Sequence, residues 1–401
     1  MEVPEPGRPP GNSVTMHESA RTAARLLRCL SCLAVLALAT TVAAETRLSD
    51  APLKQRWIKR GVILEPGFAG PPSSKFVSSP SVVRLEDGRL RMYVWVADGS
   101  PPWLEGRHII VAAESDPANP FRWSVVSRGE MVGPDPASKI RDRGVGFPYV
   151  LPRKDGPWLM YFGSWGGDWT AKQELTNRLG VAESHDQGLT WKVVNEDILP
   201  SGPPGSFDAG AIPSAGVLQK SADEYLMWYT AAERYVRFGD INQGILNIGA
   251  ARSRDGIRWE KLSEPALLAR EEDADPYEAC LARPVVLELD GTYHMWFGVY
   301  DMAPGLRPDA ASGPSPEGTK RAGTGGSYRI EYARSTDAVN WIRFPDQPIL
   351  ELTPNGFDST SQTYVSVVDM GEQLWLFYTG DGLGATGVGL ATLEKHQLSE
   401  R

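Results

Sequence analysis

Tryptophan recurs along this chain at a nearly fixed interval, each time at the start of a short segment typical of a strand. The five positions are Trp57, Trp123, Trp191, Trp259 and Trp341. Turn-forming residues precede four of them, as in the segment from Ser184 to Gly188. A fixed period with turn chemistry at each repeat is typical of a repeat architecture. The fold must therefore be interpreted from the repeat.

Each repeat contains four short strand-like segments. In the third repeat, residues 213–217 form an apolar first segment, 226–229 an aromatic second and 248–251 a third of small and β-branched residues. The fourth begins at the tryptophan. Four short strands joined by turns are one blade of a β-propeller. Five blades are predicted from five first strands, at 80–83, 148–151, 213–217, 284–287 and 364–368.

The last repeat, near 358–393, stops after its third strand and has no terminal tryptophan. The missing strand is found at the other end of the chain, because Arg56 to Leu64 parallels the segment that starts at Thr190 and Trp191. We therefore predict an all-β, five-bladed β-propeller in which the N-terminal strand completes the C-terminal blade. This arrangement closes the ring and covers an edge that would otherwise be open.

The N-terminal segment has the pattern of an export signal. Three arginines precede an apolar run over 30–39, and Val42-Ala43-Ala44 offers a cleavage site of small residues. We predict a signal peptide over 1–44, with Met16 as an alternative start, and a propeller domain over 45–401. An uncleaved membrane anchor is the alternative, although the run is short for a spanning helix. The expected location is secreted or periplasmic, with no stable membrane insertion after cleavage.

Composition excludes several classes of function. The net charge of −9 argues against a nucleic-acid partner. Cys280 is the only cysteine after the signal, and we interpret it as a small buried apolar residue. The chain carries no His-Glu-x-x-His metal motif, no phosphate-binding glycine loop and no Gly-x-Ser-x-Gly elbow. We therefore expect no metal ligand set and no cofactor. A structural cation such as calcium on the axis, held by acids and backbone carbonyls, is an open alternative.

The two ends of an antiparallel blade differ in what they carry. The first strand begins at the end where the second strand finishes, and we call this end the site face. The opposite end, the turn face, carries the turns that precede the tryptophans. Loops on the site face vary in length, and that of the fourth repeat is long, from Asp301 to Ser327. Variable loops on one face of a regular scaffold are where binding sites usually lie.

Acidic and aromatic residues collect on the site face. Before the first strands lie Asp142, Asp208, Glu278 and Asp358, and at the ends of the second strands lie Asp98, Trp165, Asp168, Glu233, Asp301 and Asp381. Acid pairs beside aromatic platforms suit the hydrolysis of glycosides. One carboxylic acid protonates the leaving oxygen, another carboxylate attacks or activates water, and aromatic rings stack on sugars.

We predict Glu278 as the general acid and Asp208 or Asp142 as the base or nucleophile, because side chains just before a first strand would point into a central funnel. The predicted substrate-binding residues are Arg143, Arg283, Asp358, Trp165, Tyr300 and Glu233. The arginines could hold a substrate carboxylate or neighbouring acids. Each acid has a structural alternative as a turn cap or a solvated loop residue, and each arginine as an ion-pair partner.

Two motifs resemble known families. The segment from Ser184 to Trp191 resembles the Asp-box turn of sialidase-like propellers. The segments 282–286, 293–297 and 328–337 resemble the five-bladed glycoside hydrolase superfamily that includes arabinanases, β-xylosidases, levansucrases and invertases. This resemblance covers 50–395 and implies a glycosidase that acts on an oligo- or polysaccharide. Its members carry an aspartate on the first strand of the first blade, where this chain has only Ser78, Ser79 and Ser81 as polar residues.

Three hypotheses follow. The first is a secreted glycosidase-like protein with paired carboxylates in the propeller funnel. The second, motivated by the missing aspartate, is a carbohydrate-binding or scaffold propeller without catalysis. The third is a sialidase, which requires a cluster of arginines in the funnel. A carbohydrate is the expected substrate or ligand in the first of these, and also in the second if that propeller binds rather than scaffolds.

Overall fold

The computed structural model describes residues 55–70, 73, 75–97, 107–166, 177–271, 276–309, 326–345 and 347–398, without the side chains of 127 and 128. The chain divides into two units, 1–49 and 50–401, and all described residues belong to the second. The predicted signal peptide, Asp98 and Asp168 lie outside the described residues. Within them, no helix is both long and apolar enough to cross a membrane.

Almost all regular structure in the described residues is β-strand. The strands of the N-terminal half are β1 (Ile58–Leu64), β2 (Phe76–Arg84), β3 (Leu90–Ala97), β4 (His108–Asp116), β5 (Asn119–Val132), β6 (Gly144–Leu151), β7 (Trp158–Trp165), β8 (Arg178–Ser184) and β9 (Lys192–Asn195). Those of the C-terminal half are β10 (Ser214–Ser221), β11 (Glu224–Phe238), β12 (Ile241–Ser253), β13 (Glu260–Lys261), β14 (Glu278–Leu289), β15 (Thr292–Met302), β16 (Gly326–Ser335), β17 (Ile342–Arg343), β18 (Thr363–Asp369), β19 (Gln373–Thr379) and β20 (Val388–Glu394). Two short helical turns cover Asp381–Gly384 and Lys395–Leu398.

The strands pair into five antiparallel groups of four. Groups one to four are β2–β5, β6–β9, β10–β13 and β14–β17 in chain order. Group five consists of β18, β19, β20 and β1, because β1 pairs antiparallel with β20 and places Ile58 opposite Thr392. The N-terminal strand is thus the fourth strand of the C-terminal group, the pairing that the repeat predicted. The second strands are almost entirely buried, as their aromatic and β-branched composition requires.

The recurring tryptophans join neighbouring groups. Each ring packs edge-on against an aromatic ring on the second strand of the preceding group, a favourable geometry for aromatic pairs. The pairs are Trp191 with Tyr93, Trp259 with Tyr161, Trp341 with Trp228, Trp57 with Trp296, and Trp123 with Phe377. The centroid distances lie between 5.7 and 6.2 Å. Because Trp123 of group one contacts Phe377 of group five, the series of contacts returns to its start.

The turns that precede the tryptophans are held by their own aspartates. In the turn of group two, Asp186 accepts hydrogen bonds from the amides of Leu189 and Thr190 at 3.1 and 2.9 Å. Gly188 adopts a φ of +84°, which favours glycine. Its carbonyl accepts a 2.9 Å hydrogen bond from the hydroxyl of Tyr93 in group one. The turn motif therefore connects two groups, and its role is structural.

These turns make acid stability depend on two aspartates. Burial acts to raise the pKa of Asp186, but hydrogen bonds from Thr190 and Ser184 lower it from 3.8 to about 2, and the pKa of Asp337 is lowered to about 2 in the same way. An aspartate whose pKa is lower in the folded state than in the unfolded state stabilises the fold above pH 3.8. This stabilisation is lost as the pH falls through the folded-state pKa of about 2. We expect Asp337→Asn to lower the thermal midpoint at neutral pH and to show a smaller further drop between about pH 4 and pH 2. An unchanged acid-induced drop would contradict this role.

Four of the five first strands, those of groups one, two, four and five, share a bulge at the level of their proline or its equivalent. Ser79, Phe147, Arg283 and Tyr364 have φ between +49° and +53°, and each lies at a shift of register with the second strand. Positive φ is uncommon for such residues and stores local strain. Successive first strands also contact one another, and β18 of group five contacts β2 of group one. The bulged residues of four groups therefore occupy equivalent positions.

Candidate active site

Two of the predicted site acids form the same contacts in different groups. In group three, Asp208 Oδ2 accepts hydrogen bonds from Lys261 Nζ at 2.6 Å and from the Tyr229 hydroxyl at 3.2 Å. In group five, Asp358 Oδ2 accepts from Lys59 Nζ at 2.5 Å and from the Tyr378 hydroxyl at 3.0 Å. Both acids are at least nine-tenths buried and face the fourth strand of their own group. A contact repeated in this way is part of the scaffold.

This repeated contact between an acid and a base leaves a signal in the sequence that no single acid reveals. An aromatic–acid dyad precedes the first strand in three groups, as Phe207-Asp208, Tyr277-Glu278 and Phe357-Asp358. A basic residue stands two positions after the tryptophan in the same three groups, as Lys261, Arg343 and Lys59. Groups one and two have Val125 and Val193 at that position. We call each pair of acid and base an acid–base lock.

The prediction that Asp208 points into a central funnel is therefore wrong, and Asp358 is a lock residue rather than a substrate ligand. Burial would raise the pKa of Asp208, but hydrogen bonds from Lys261 and Ser206 lower it below its usual value. Burial likewise acts to raise the pKa of Asp358, and hydrogen bonds from Lys59, Thr353 and Gln362 lower it. Both carboxylates are ionised and buried, and protein donors bind both oxygens of Asp208 and the Oδ2 of Asp358, so neither is open to a substrate.

Glu278 is the lock acid of group four, and three guanidinium groups surround it. Its Oε2 binds Arg343 Nη2 at 2.9 Å, and its Oε1 binds Arg329 Nη2 at 2.8 Å and Arg270 Nη2 at 3.0 Å. Burial acts to raise its pKa, but Arg343, the amide of Arg270 and Arg329 lower it overall. A general acid needs a raised pKa and access to the substrate. The predicted acid role of Glu278 does not fit a fully buried carboxylate with a lowered pKa.

Group four adds to its lock two carboxylates that the other locks lack. Arg329 Nε binds Asp301 Oδ2 at 2.6 Å, and its Nη2 binds both Asp301 Oδ1 at 3.3 Å and Glu278 Oε1. Glu331 pairs with the same guanidinium and with Arg343 Nε at 2.6 Å. Arg329 is therefore shared by three carboxylates. Arg329 Nη2 binds both Glu278 Oε1 and Asp301 Oδ1. These two carboxylate oxygens are therefore no farther apart than the sum of their distances to that nitrogen.

Asp301 has the electrostatic environment that the general acid role requires. Burial raises its pKa, and Arg329 offsets this only in part. The neighbouring negative charge of Glu278 acts in the same direction as burial. Two carboxyl groups whose pKa values are displaced in opposite directions are typical of acid–base sites. Asp301 lies opposite Glu278 in the pairing of β14 with β15, at the end of a second strand on the site face.

Glu233 occupies the position of group three that Asp301 occupies in group four. Each lies six residues after the methionine of its second strand, Met227 or Met295. The Glu233 side chain is 27% exposed, its Oε1 pairs with the exposed Arg234, and its Oε2 accepts a 3.0 Å hydrogen bond from Asn247 Nδ2. A break in the pairing of β11 with β12 falls next to it, and such bulges re-aim side chains. Glu233 is therefore an accessible carboxylate at a defined position.

Hydrogen bonds join the two carboxylates into one network. Asn247, which binds Glu233, also accepts a 3.0 Å hydrogen bond from the amide of Ala269. The next residue, Arg270, donates its amide to Glu278 at 2.9 Å, and Glu278 shares Arg329 with Asp301. The segment between β13 and β14 thus fixes the carboxylate of group three relative to that of group four.

The remaining predicted residues divide by exposure. Trp165 is 5% exposed and packs on Trp95 at 5.3 Å, and Tyr300 is 1% exposed and packs on Tyr328 at 4.8 Å. Neither ring offers a face for stacking on a sugar, so both predictions of substrate contact are wrong in this structure. Arg283 is also buried and donates to backbone carbonyls of two other groups, so it is not a substrate anchor.

Asp142 and Arg143 lie just before β6, at the end of group two where its first strand begins. Asp142 is half-buried beside Gly166, and Arg143 is exposed and donates its amide to the Trp165 carbonyl at 3.2 Å. Their roles as base and as substrate ligand stay predictions. Among the described residues no group of three or more His, Cys, Asp or Glu side chains could hold a metal ion. The positive charge of Arg283, buried at the bulge of its first strand, disfavours the alternative of a cation beside it.

The chain is similar to proteins of several bacteria. No protein-family model matches it. Two uncharacterized proteins of Mycobacterium tuberculosis, from the strains CDC 1551 and H37Rv, are each 25% identical over 342 residues, which cover 84% of this chain and 99% of the relative. This identity alone does not define a family.

Solved structures with the same fold are glycoside hydrolases. A glycosyl hydrolase from Bacteroides ovatus matches with a TM-score of 0.61 at 15% identity, over 88% of this chain and 96% of that chain. A thermostable family-43 glycoside hydrolase matches with a TM-score of 0.52 at 16% identity, over 79% and 88% of the two chains. A structure from the GH130 family of mannoside phosphorylases, which contains hydrolases that target β-1,2 mannosidic linkages in Candida mannan, matches with a TM-score of 0.59 at 15% identity, over 86% and 95%.

These comparisons establish the fold. The chain has the nearly all-β fold of the propeller glycoside hydrolases, which the motifs of the sequence predicted. At such identities the likeness does not carry over a substrate or a set of catalytic residues. The chemistry must be argued from the residues of this chain.

Proposed function

We propose that this protein is a glycosidase-like enzyme with Asp301 as general acid and Glu233 as base or nucleophile. The observation that carries the proposal is the position of these two carboxyl groups. They stand at the same repeat position of adjacent groups, one with a pKa raised by burial and the other accessible and hydrogen-bonded. The substrate class is an oligo- or polysaccharide, in keeping with the hydrolase neighbours.

The proposal includes a closed ring of five blades. Two observations support it. The edge-on aromatic pairs run through all five groups and return from group five to group one. Contacts between first strands follow the same order, including β18 with β2. In such a ring, β1 completes the fifth blade, and the ends of the second strands of groups three and four lie side by side around one funnel.

In the proposed reaction, the proton of Asp301 moves to the glycosidic oxygen as the bond between that oxygen and the anomeric carbon breaks. The Glu233 carboxylate attacks the anomeric carbon or accepts a proton from the attacking water. Arg329 holds the Asp301 carboxyl in place through Nε at 2.6 Å. Glu278 remains ionised and keeps Arg329 in position. Asp142 and the exposed Arg143, on the neighbouring group two, are proposed as further substrate contacts.

The alternative is a propeller that binds carbohydrate without hydrolysing it. It is favoured by the bulge positions of the first strands, where Ser79, Phe147, Arg283 and Tyr364 stand and no carboxylate is present. Under this alternative, Glu233 and Asp301 would accept hydrogen bonds from sugar hydroxyl groups. The two functions make opposite predictions for product formation.

The test is an oligosaccharide panel assayed in parallel for binding and for hydrolysis by the protein secreted from its own signal. Reducing ends that appear with the wild type support the enzyme, and binding with every glycoside intact supports the alternative. Secretion itself is proposed from the N-terminal pattern, and an N-terminus of the mature protein near residue 45 is the expected result of its sequencing. Recovery of the uncleaved chain in the membrane fraction would contradict export with cleavage.

A further inference from the structure

Arg283 is a buried cation without a carboxylate partner. It is 1% exposed, and its guanidinium donates to backbone oxygens, the Pro148 carbonyl through Nη2 and the Val365 carbonyl through Nη1 at 3.4 Å. Its Nε is buried and donates no hydrogen bond. Burial lowers the pKa of Arg283 from 12.5 to about 9, and only the phenols of Tyr364 and Tyr149, not a carboxylate, oppose that shift. A buried guanidinium normally has a carboxylate, since an unpaired buried charge is strongly unfavourable.

Among the described residues, a second buried arginine has the carboxylate partner that Arg283 lacks. Arg91 is 5% exposed and binds Glu114 through Nε at 2.7 Å and through Nη2 at 2.5 Å. Both side chains are buried to a similar extent, so the two arginines differ in their partners rather than in their burial. What Arg283 lacks is a negative charge.

The backbone partners of the Arg283 guanidinium lie on two strands that both contact group one. Its two carbonyl partners belong to β6 of group two and β18 of group five, and β2 of group one contacts both of those strands. On β2, Ser79 stands at the bulge position equivalent to that of Arg283 and is fully buried. The Ser79 Oγ has no hydrogen-bond partner. The Arg283 Nε and the Ser79 hydroxyl, each without a hydrogen-bond partner, thus belong to the same set of bulge positions, 79, 147, 283 and 364, which we call the bulge ring.

Aromatic residues occupy the other bulge positions. The rings of Phe147 and Tyr364 pack edge-on at a centroid distance of 5.4 Å. Aromatic edges carry partial positive charge, so they suit an anion better than a cation. The low exposure of Arg283, Ser79 and Tyr364 excludes bulk water and favours a small ion over an extended ligand.

We propose that the bulge ring binds a small monovalent anion of the halide class, held by Arg283 Nε and the Ser79 hydroxyl. The anion supplies the negative charge that Arg283 lacks and satisfies both donors. Its site connects groups one and four through the centre of the fold, so it acts on stability. This inference is independent of the proposed glycosidase activity.

The test measures the thermal midpoint of the wild type in chloride and in gluconate at constant ionic strength. An ion that binds only the folded state raises the midpoint with its concentration, by roughly 3–5 °C for a hundredfold increase above the dissociation constant. We expect chloride and bromide, but not gluconate, to have this effect. Crystals grown in bromide are expected to show one anomalous peak beside Arg283 Nε.

Two variants and one control complete the test. Ser79→Ala should weaken the chloride effect at little cost in folding, and Arg283→Met should abolish it. Arg91→Met removes a buried arginine that has its own carboxylate, so it should lower the midpoint and keep the chloride effect. Equal midpoints in chloride and gluconate for the wild type would overturn the proposal. A chloride effect that persists in Ser79→Ala together with no bromide peak at Arg283 would overturn it as well, even if Arg283→Met does not fold.

Discussion

Glu278→Gln is expected to lower the free energy of unfolding by about 3 kcal/mol, because removing one partner of a buried ion pair leaves an uncompensated charge. In this variant Arg343 and Arg329 would lose their shared carboxylate, while the shape of the side chain is kept. Arg270 is 36% exposed and can turn toward water. The loss of the carboxylate charge therefore destabilises mainly the buried guanidinium groups of Arg343 and Arg329. The measurement is the denaturant midpoint at neutral pH.

The matched control is Glu130→Gln, which removes one partner of the exposed pair between Arg107 and Glu130. Surface ion pairs contribute little, so this change should cost less than about 1 kcal/mol. A Glu278→Gln variant as stable as Glu130→Gln would contradict a structural role for Glu278. It would also remove the reason to assign the general acid role to Asp301 instead of Glu278.

Asp301→Asn is expected to reduce the turnover of an unactivated oligosaccharide by about 10²–10⁴-fold, since the amide cannot donate the proton that general acid catalysis requires. A substrate with a good leaving group, such as an aryl glycoside, needs little protonation. We therefore expect its turnover to fall far less in the same variant. This difference between substrates identifies loss of the acid rather than loss of folding.

The pH profile gives an independent measure of the same group. Burial raises the pKa of Asp301, so the protonated form persists to a higher pH than for an ordinary aspartate. The wild type should lose activity as the pH rises through that pKa, and this limb should disappear in Asp301→Asn. A profile with an unchanged basic limb would show that another group is the acid.

The periodic part of the fold could be predicted from the sequence. Trp57 and Trp191 begin equivalent segments, and this parallel predicted that the N-terminal strand pairs with the C-terminal group. The structure shows that pairing between β1 and β20. The resemblance of the Met-Trp strands to propeller glycoside hydrolases was also correct for the fold. Such features are predictable because the turn chemistry and the apolar, aromatic composition of the inner strands recur from repeat to repeat.

The site was harder to predict, because position along a strand does not reveal the partner of an acid. Asp208, Glu278 and Asp358 looked like an unrepeated set of acids, but each pairs with a base two residues after a tryptophan. Comparison of the dyads with those bases could have identified the locks. The raised pKa of Asp301 had no such signal, since it arises from burial in the fold and from the neighbouring charge of Glu278, against the opposing effect of Arg329.

The most direct test of this account compares four variants on one glycoside that the wild type hydrolyses. Glu233→Gln and Asp301→Asn change the proposed catalytic pair, and Asp208→Asn and Asp358→Asn change two acid–base locks. The account predicts turnover reduced by at least about 100-fold in the first two. It predicts lower stability with turnover close to that of the wild type in the folded fraction of the last two. Loss of turnover in a folded Asp208→Asn variant, with Glu233→Gln and Asp301→Asn still active, would contradict it.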